Sequence, residues 1–266
     1  MKSYLCAALQ MNSTPDLDAN LAQASELISR AAALNASLIA LPENFSFLGP
    51  ENEKVSRVEE IASRSQEFLY ASARQHQTVI LGGSFPAPAP GGKTWNRSVL
   101  TGPKGGLATY DKIHLFDVEL PGQSLRESDT VEAGSEPTLY KSKDLGALGM
   151  SICYDVRFPE QYRSLSGRGA EILFIPAAFT KYTGQYHWDL LVRARAVENT
   201  CYAIAPAQCG HHFGKRESYG HSLIVDPWGT LLAEAGEVPS VITAEIDPTR
   251  IRDVRKQIPS LRHRKM

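Results

Sequence analysis

What the sequence lacks narrows its biology before any motif is considered. No apolar run approaches the ~20 residues that a helix needs to cross a bilayer, which excludes a membrane-spanning helix. Charge of neither sign is in surplus, with 28 Lys and Arg against 29 Asp and Glu. No global field therefore draws the chain toward nucleic acid or an anionic lipid surface. The four cysteines, Cys6, Cys153, Cys201 and Cys209, form no CxxC pair and no Cys/His cluster at zinc-like spacing. That disfavours a disulfide frame and a structural metal. The opening stretch MKSYLCAALQM has one lysine and no small-residue cleavage site, so the expectation is a cytoplasmic protein without a secretory leader. Internal repeats, low-complexity tracts and linkers are also missing. A small-molecule partner is left by elimination.

What is present is enough apolar material for a substantial core, 42% of 266 residues, at the upper end of ordinary single-domain size. YLCAALQM (4–11) reads as a buried strand, and Asp16 is placed to cap a helix with apolar positions at Leu17, Leu21, Ala24, Leu27, Ile28 and Ala31. SLIALPE (37–43) then reads as a second buried strand, a helix is expected near 54–76, and TVILGGSF (78–85) reads as a third strand. That order predicts parallel pairing across crossover helices. RSVLTG and GLATYDKIHL flank Gly102–Pro103 as a hairpin, whereas 116–136, with Pro121, Gly122 and Gly134, shows no clear period and reads as a long loop. A helix is expected from Pro159, a strand at EILFIPAAF, a helix over 185–200, and closing strands thereafter. Pattern alone leaves open one doubly wound sheet or two stacked sheets. The basic tail reads as a solvated end or an arm packing on a partner subunit.

Three side chains stand where chemistry is expected. Cys153 follows the apolar run LGALGMSI and precedes YDVRFPE, a strand-to-helix junction where backbone N–H groups favour a thiolate and an oxyanion. From the run alone, an inert buried cysteine is the alternative. Glu43 is delivered from the carboxyl end of a buried strand, the edge where open α/β sheets gather ligands; a helix cap or surface ion pair is its alternative. Lys112 ends an apolar strand, and a buried lysine needs an acid partner or a chemical task. A solvated strand end is the plainer reading.

LPENF around Glu43, YDKIHLFD around Lys112 and SICYDVRFPE around Cys153 occur in the order found in the nitrilase superfamily of carbon–nitrogen hydrolases, which the chain resembles over nearly its whole length. HWDLLVRARAVENTCY, APAQCG and GHSLIVDPWG add to the resemblance. It implies an α/β four-layer αββα sandwich, one carbon–nitrogen hydrolase domain over 1–266 with 247–266 as a C-terminal arm, and a homodimer or higher homo-oligomer. It also implies an amidase in which Cys153 is the nucleophile, Glu43 the general base and Lys112 the oxyanion stabiliser, with a backbone N–H at or just after Cys153. Glu127, in the shorter match SLRESDTV, is implied as a second carboxylate. No metal or organic cofactor is required.

TGQYHWDLLVRARAVENTCY, APAQCGHH and KRESYGHSLIVDPWGT resemble most the branch that hydrolyses deaminated glutathione, an amide with a carboxylate at each end. Cations are then expected around the substrate. Arg157 is the first candidate, with Arg195 and Lys215 behind it and Tyr154 beside the nucleophile; an ion pair with Glu160 or Asp155 is the alternative for Arg157. His187 and Trp188 read as packing, His211 and His212 as loop residues, and the other three cysteines as small buried hydrophobes. An ω-amidase acting on a short dicarboxylate monoamide is the rival activity. A non-catalytic scaffold is the rival of another class.

Overall fold

The computed structural model describes residues 1–120 and 123–265. The first half of the chain builds one sheet from β1 (Tyr4–Gln10), β2 (Leu38–Ala40), β3 (Val79–Leu81), β4 (Phe85–Pro88), β5 (Thr94–Gly102) and β6 (Gly105–Asp111). A hairpin of β7 (Asp117–Leu120) and β8 (Gln123–Arg126) follows, and then the short β9 (Val131–Glu132), which rejoins β5. The second sheet holds β10 (Leu139–Ser142), β11 (Gly146–Met150), β12 (Ile172–Phe174) and β13 (Tyr202–Ala205). After a second hairpin, β14 (Cys209–Phe213) with β15 (Arg216–Tyr219), that sheet is completed by β16 (Leu223–Val225) and β17 (Leu231–Glu234). The last strand, β18 (Ser240–Ile246), returns to pair antiparallel with β1 of the first sheet. As expected, β1, β2 and β3 run parallel.

Alternation along the strands explains the layering. In β1, Cys6 and Ala8 enter the core shared with the second sheet, while Ala7 and Leu9 pack with the helix-side cluster. Leu38 and Ala40 of β2 repeat the first choice, and Ile39 the second. A strand apolar on both faces needs cover on both. The first sheet is covered by α1 (Leu17–Ala33) and α3 (Val58–His76), whose Ala24, Leu27, Ile28, Leu69 and Ala73 enter that outer cluster. The second is covered by α4 (Pro159–Gly167) and α5 (Lys181–Asn199), through Tyr162, Leu165, Trp188, Val192 and Ala196. The result is the αββα sandwich, which decides between the two sheet arrangements left open by the pattern.

Asp16 caps α1 as expected, accepting from the Ala19 N–H at 3.0 Å. Elsewhere the boundaries moved. The helix expected near 54–76 is two, with α2 (Glu51–Ser56) separated from α3 at Arg57, and α5 begins at Lys181. The supposed loop over 116–136 contains β7, β8 and β9, strands too short to display a period; Pro121 and Gly122 lie outside the described residues. Much of the basic tail forms α6 (Pro248–Gln257) and α7 (Ser260–His263). The α6 helix packs on its own chain, burying Ile251 and Val254, and Arg255 donates to the carbonyls of Ala170 and Thr200. No helix among the described residues is long and apolar enough to cross a membrane.

Candidate active site

Glu43, Lys112, Glu127 and Cys153, remote from one another in sequence, line one cavity of about 520 Å³. That volume falls within the ~300–1,000 Å³ usual for small-molecule sites. Each side chain arrives by a different route. Lys112 immediately follows β6, and its backbone is clamped on both sides: its N–H donates to the Asn96 carbonyl at 3.0 Å, and its carbonyl accepts from Gly134 at 2.8 Å. Glu43 stands three residues beyond the end of β2 rather than at the strand's tip. The turn at Gly83, with φ +47°, passes directly against its segment. A Cβ on Gly83 would lie 1.9 Å from the Pro42 carbonyl oxygen, so only glycine permits this approach.

Cys153 occupies a sharp elbow. The chain leaves β11, Ile152 is still extended, and Cys153 turns to φ +46° to begin the 3-10 segment Cys153–Arg157, which leads into α4 with Pro159 at its first turn. A left-handed conformation costs a residue with a Cβ about 1–2 kcal/mol, so the surroundings must hold it. Asp155 does much of this: its buried carboxylate accepts from Ile152 N–H at 2.8 Å, Tyr110 OH at 2.6 Å and His114 N–H at 3.0 Å, and it meets His114 Nδ1 at 2.8 Å. One side chain therefore ties the elbow to the segment just beyond Lys112. The N–H of Cys153 itself donates to the Pro176 carbonyl at 2.8 Å and is thereby committed within the chain.

The four ionisable groups form one network. Glu43, Lys112 and Cys153 are 3%, 2% and 8% exposed. Lys112 Nζ lies 3.0 Å from Glu43 Oε1 and 3.1 and 2.9 Å from the two oxygens of Glu127. Burial opposes the lysine's charge, but these carboxylates outweigh it and hold the ammonium well above its ordinary pKa. Burial likewise opposes the charge of Glu127, yet Lys112 and the Phe116 N–H keep its carboxyl below the usual range. The other oxygen of Glu43 accepts from the Ala178 N–H at 2.8 Å. Burial, with the Glu43 charge alongside, pushes the Cys153 thiol well above its ordinary value, and Lys112 pulls it only partly back. The sulfur thus lies beside Glu43, with Lys112 across from it, in surroundings that favour the thiol over the thiolate.

Tyr154 and Lys215 also line the cavity, Tyr154 with its ring edge-on to Phe116 and Phe158. Arg157 and Arg195 do not. Arg157 is carried round by the 3-10 turn so that its guanidinium lies over the rings of Tyr154 and Phe179 and meets His187 Nδ1 at 3.3 Å; it pairs with neither Glu160 nor Asp155. Arg195, on the buried face of α5, donates to the Val156 carbonyl at 2.8 Å and pairs with Glu198 at 2.7 Å. Trp188 packs in the core as expected. His212 belongs to β14 rather than a loop and is buried between the Ser13 carbonyl and the Ser218 hydroxyl. Cys6, Cys201 and Cys209 are free and buried.

Asn96 and Arg216 belong to the site although the sequence did not single them out. Asn96 lies near the start of β5, and its amide donates to Glu43 Oε1 at 2.9 Å and Glu127 Oε1 at 3.2 Å. The available signal was a strand-averse amide in the mixed stretch TWNRSVL, just before the strand expected at RSVLTG. Arg216 opens β15, lines the cavity and donates to the Ala178 carbonyl at 3.0 Å.

Residues 5–256 match the carbon-nitrogen hydrolase family. A deaminated glutathione amidase from Synechocystis sp. is 54% identical over 269 residues, covering 99% of each chain. Among solved structures, the C. elegans NitFhit protein superposes with a TM-score of 0.94 at 38% identity, over 100% of this chain and 66% of that longer one. An amidase variant from Nesterenkonia sp. AN1 superposes at 0.80 with 26% identity over 96% of this chain and 98% of that one; its active site cysteine carries acrylamide by Michael addition.

Proposed function

Because the chain belongs to the carbon–nitrogen hydrolase family and is an amidase of that family, we propose that it cleaves a carboxylate-bearing linear amide through a thioester on Cys153, with deaminated glutathione as the substrate. The observation that carries this reading is the sharing of one 520 Å³ cavity by a buried thiol, an adjacent carboxylate and a buried ammonium.

With its thiol held protonated by burial, Cys153 needs a base at the moment of attack. Glu43, beside the sulfur and fixed by Lys112, Asn96 and the Ala178 N–H, takes that proton as sulfur adds to the amide carbon. The oxyanion is met by Lys112 Nζ and the Tyr154 N–H. Three carboxylate oxygens lie within 3.1 Å of Nζ at rest, so the ammonium exchanges one of them for the developing charge. Loss of one such donor typically slows turnover roughly 100- to 1,000-fold. Collapse breaks the C–N bond, Glu43 returns its proton to the departing amine, and the acyl group stays on sulfur. Water, deprotonated by Glu43, then releases the acid and the free thiol. Glu127 keeps the lysine charged and placed throughout. With deaminated glutathione the products are 2-oxoglutarate and cysteinylglycine, and Lys215 and Tyr154 border the space open to substrate.

Two further features belong to the proposal. The protein acts in the cytoplasm, and it works as a homodimer through the outer face of α5, where Tyr182, Tyr186 and Leu190 recur every four residues at 55%, 69% and 66% exposure. The test is a substrate panel, deaminated glutathione against 2-oxoglutaramate, run on wild type and on Cys153→Ala with primary amine and ammonia recorded separately. Amine release by wild type alone is expected. Turnover by the alanine variant would sink the mechanism, and a higher kcat/KM for the smaller amide would give the activity to an ω-amidase.

A further inference from the structure

Among the described residues, five cationic side chains line the cavity: Lys54, Lys112, Arg126, Lys215 and Arg216. Acids of the chain itself already answer three of them. Lys54 pairs with Glu51, Lys112 with Glu43 and Glu127, and Arg126 with Glu119. Among the described residues neither Lys215 nor Arg216 has a carboxylate within ion-pair distance, and the neighbouring Glu217 is drawn to Lys181 instead. A cavity that leaves two cations unanswered is prepared for an anionic ligand.

The two are not equivalent. Lys215 is exposed in the turn between β14 and β15, where its ordering on binding costs rotamer freedom. Arg216 is half-buried, and one terminal nitrogen is already fixed on the Ala178 carbonyl at 3.0 Å. The N–H of that same Ala178 holds Glu43 Oε2 at 2.8 Å. A single residue therefore couples the guanidinium to the side chain proposed as the base. A guanidinium carries five N–H donors in a planar fork, and with one committed to backbone the others suit a carboxylate better than a mobile ammonium does.

Resting on the amidase reading above, we propose that Arg216 is the specificity residue that binds a substrate carboxylate lying away from the scissile amide, and so selects amides that carry one. Lys215 adds attraction at the rim. Arg157 and Arg195, which touch other parts of the chain, take no share in it.

The experiment compares wild type, Arg216→Gln and Arg216→Lys on deaminated glutathione and on two analogues, one with the glycyl carboxylate converted to a carboxamide and one with the 2-oxo acid carboxylate so converted. In wild type, blocking the carboxylate that Arg216 binds is expected to lower kcat/KM about 10- to 100-fold, the range for a hydrogen bond between charged groups. In Arg216→Gln the same blocking should change kcat/KM by less than about threefold, and Arg216→Lys, with charge but no fork, should fall between. The analogue that shows this loss of coupling identifies the carboxylate. If Arg216→Gln lowers all three substrates by one common factor, or neither analogue couples to position 216, the proposal is overturned while the amidase reading stands. Failure of wild type to hydrolyse any of the three amides would instead remove the reading beneath it. Thermal melts of both variants establish that they are folded.

Discussion

One amide group does unusual duty in this cavity. Asn96 donates from a single nitrogen to Glu43 and Glu127, whose nearer oxygens share the Lys112 ammonium. Two carboxylates that close repel, and the Lys112 ammonium together with the Asn96 amide holds them side by side. Asn96→Ala removes a donor from both acceptors, and hydrogen bonds to charged groups contribute about 1.5–3 kcal/mol. A fall in kcat of roughly tenfold or more is expected, with KM changed much less, because the amide orients the acids rather than the substrate. Asn96→Asp puts a third carboxylate around one ammonium, so protons are retained to higher pH and the acidic limb of the kcat profile should move upward. Steady-state kinetics across pH reads both. An Asn96→Asp profile that superposes on wild type would show that the amide is mere packing. Glu43, Lys112 and Cys153 were legible in the sequence because each ends an apolar stretch and each sits in a long family-like segment. Asn96 was not, since a lone amide in a strand acquires meaning only when two carboxylates from other segments close on it.

At the scale of elements, what the pattern revealed depended on length and on how many faces are buried. Seven-residue β1 and seventeen-residue α1 repeat their period often enough to be read. The four-residue strands β7 and β8 do not, and β14 with β15 was signalled only by Gly214, at φ +52° in a two-residue turn. Arginine placement failed for a related reason: Arg157 is four residues from Cys153 in sequence, but a 3-10 turn sends it toward α5. The same turn explains why Asp155 matters. It joins the Cys153 elbow to the end of β6 through four donors, two of them backbone N–H groups that cannot accept a bond in return. Asp155→Asn puts an amide where only acceptors fit, and breaking a buried charged network costs about 3–5 kcal/mol. The melting temperature should fall by several degrees, and in protein that remains folded the Cys153 elbow should relax, lowering kcat more than it raises KM. Calorimetry and kinetics together test this, and an Asp155→Asn variant with unchanged Tm would contradict the account of the elbow.

At the scale of the molecule, one outer layer is unlike the other. The α1 and α3 helices turn charged faces outward, as surface helices do, whereas α5 leaves Tyr182, Tyr186, Leu190 and Val197 at least 49% exposed along one side, with Trp228 exposed at 46% on the neighbouring turn. Val197 and that turn are adjoining, since a Cβ on Gly229 would meet Val197 at 2.5 Å, so the apolar residues of α5 run on toward the turn that carries Trp228. Exposed strips of this extent mark association surfaces, and a twofold axis across α5 would set the strip against its own copy. Leu190 lies near the middle of the helix, where it adds little to the fold of one chain: an exposed substitution there changes chain stability by only about 0.5 kcal/mol. In a dimer, Leu190→Asp desolvates two carboxylates against one another across the axis and should shift the particle from twice the 29.2 kDa chain mass to that mass itself. Sedimentation velocity over a dilution series distinguishes the two. Wild type that sediments as a single chain at micromolar concentration, or a Leu190→Asp variant that stays paired, would show that this strip is not where two copies meet.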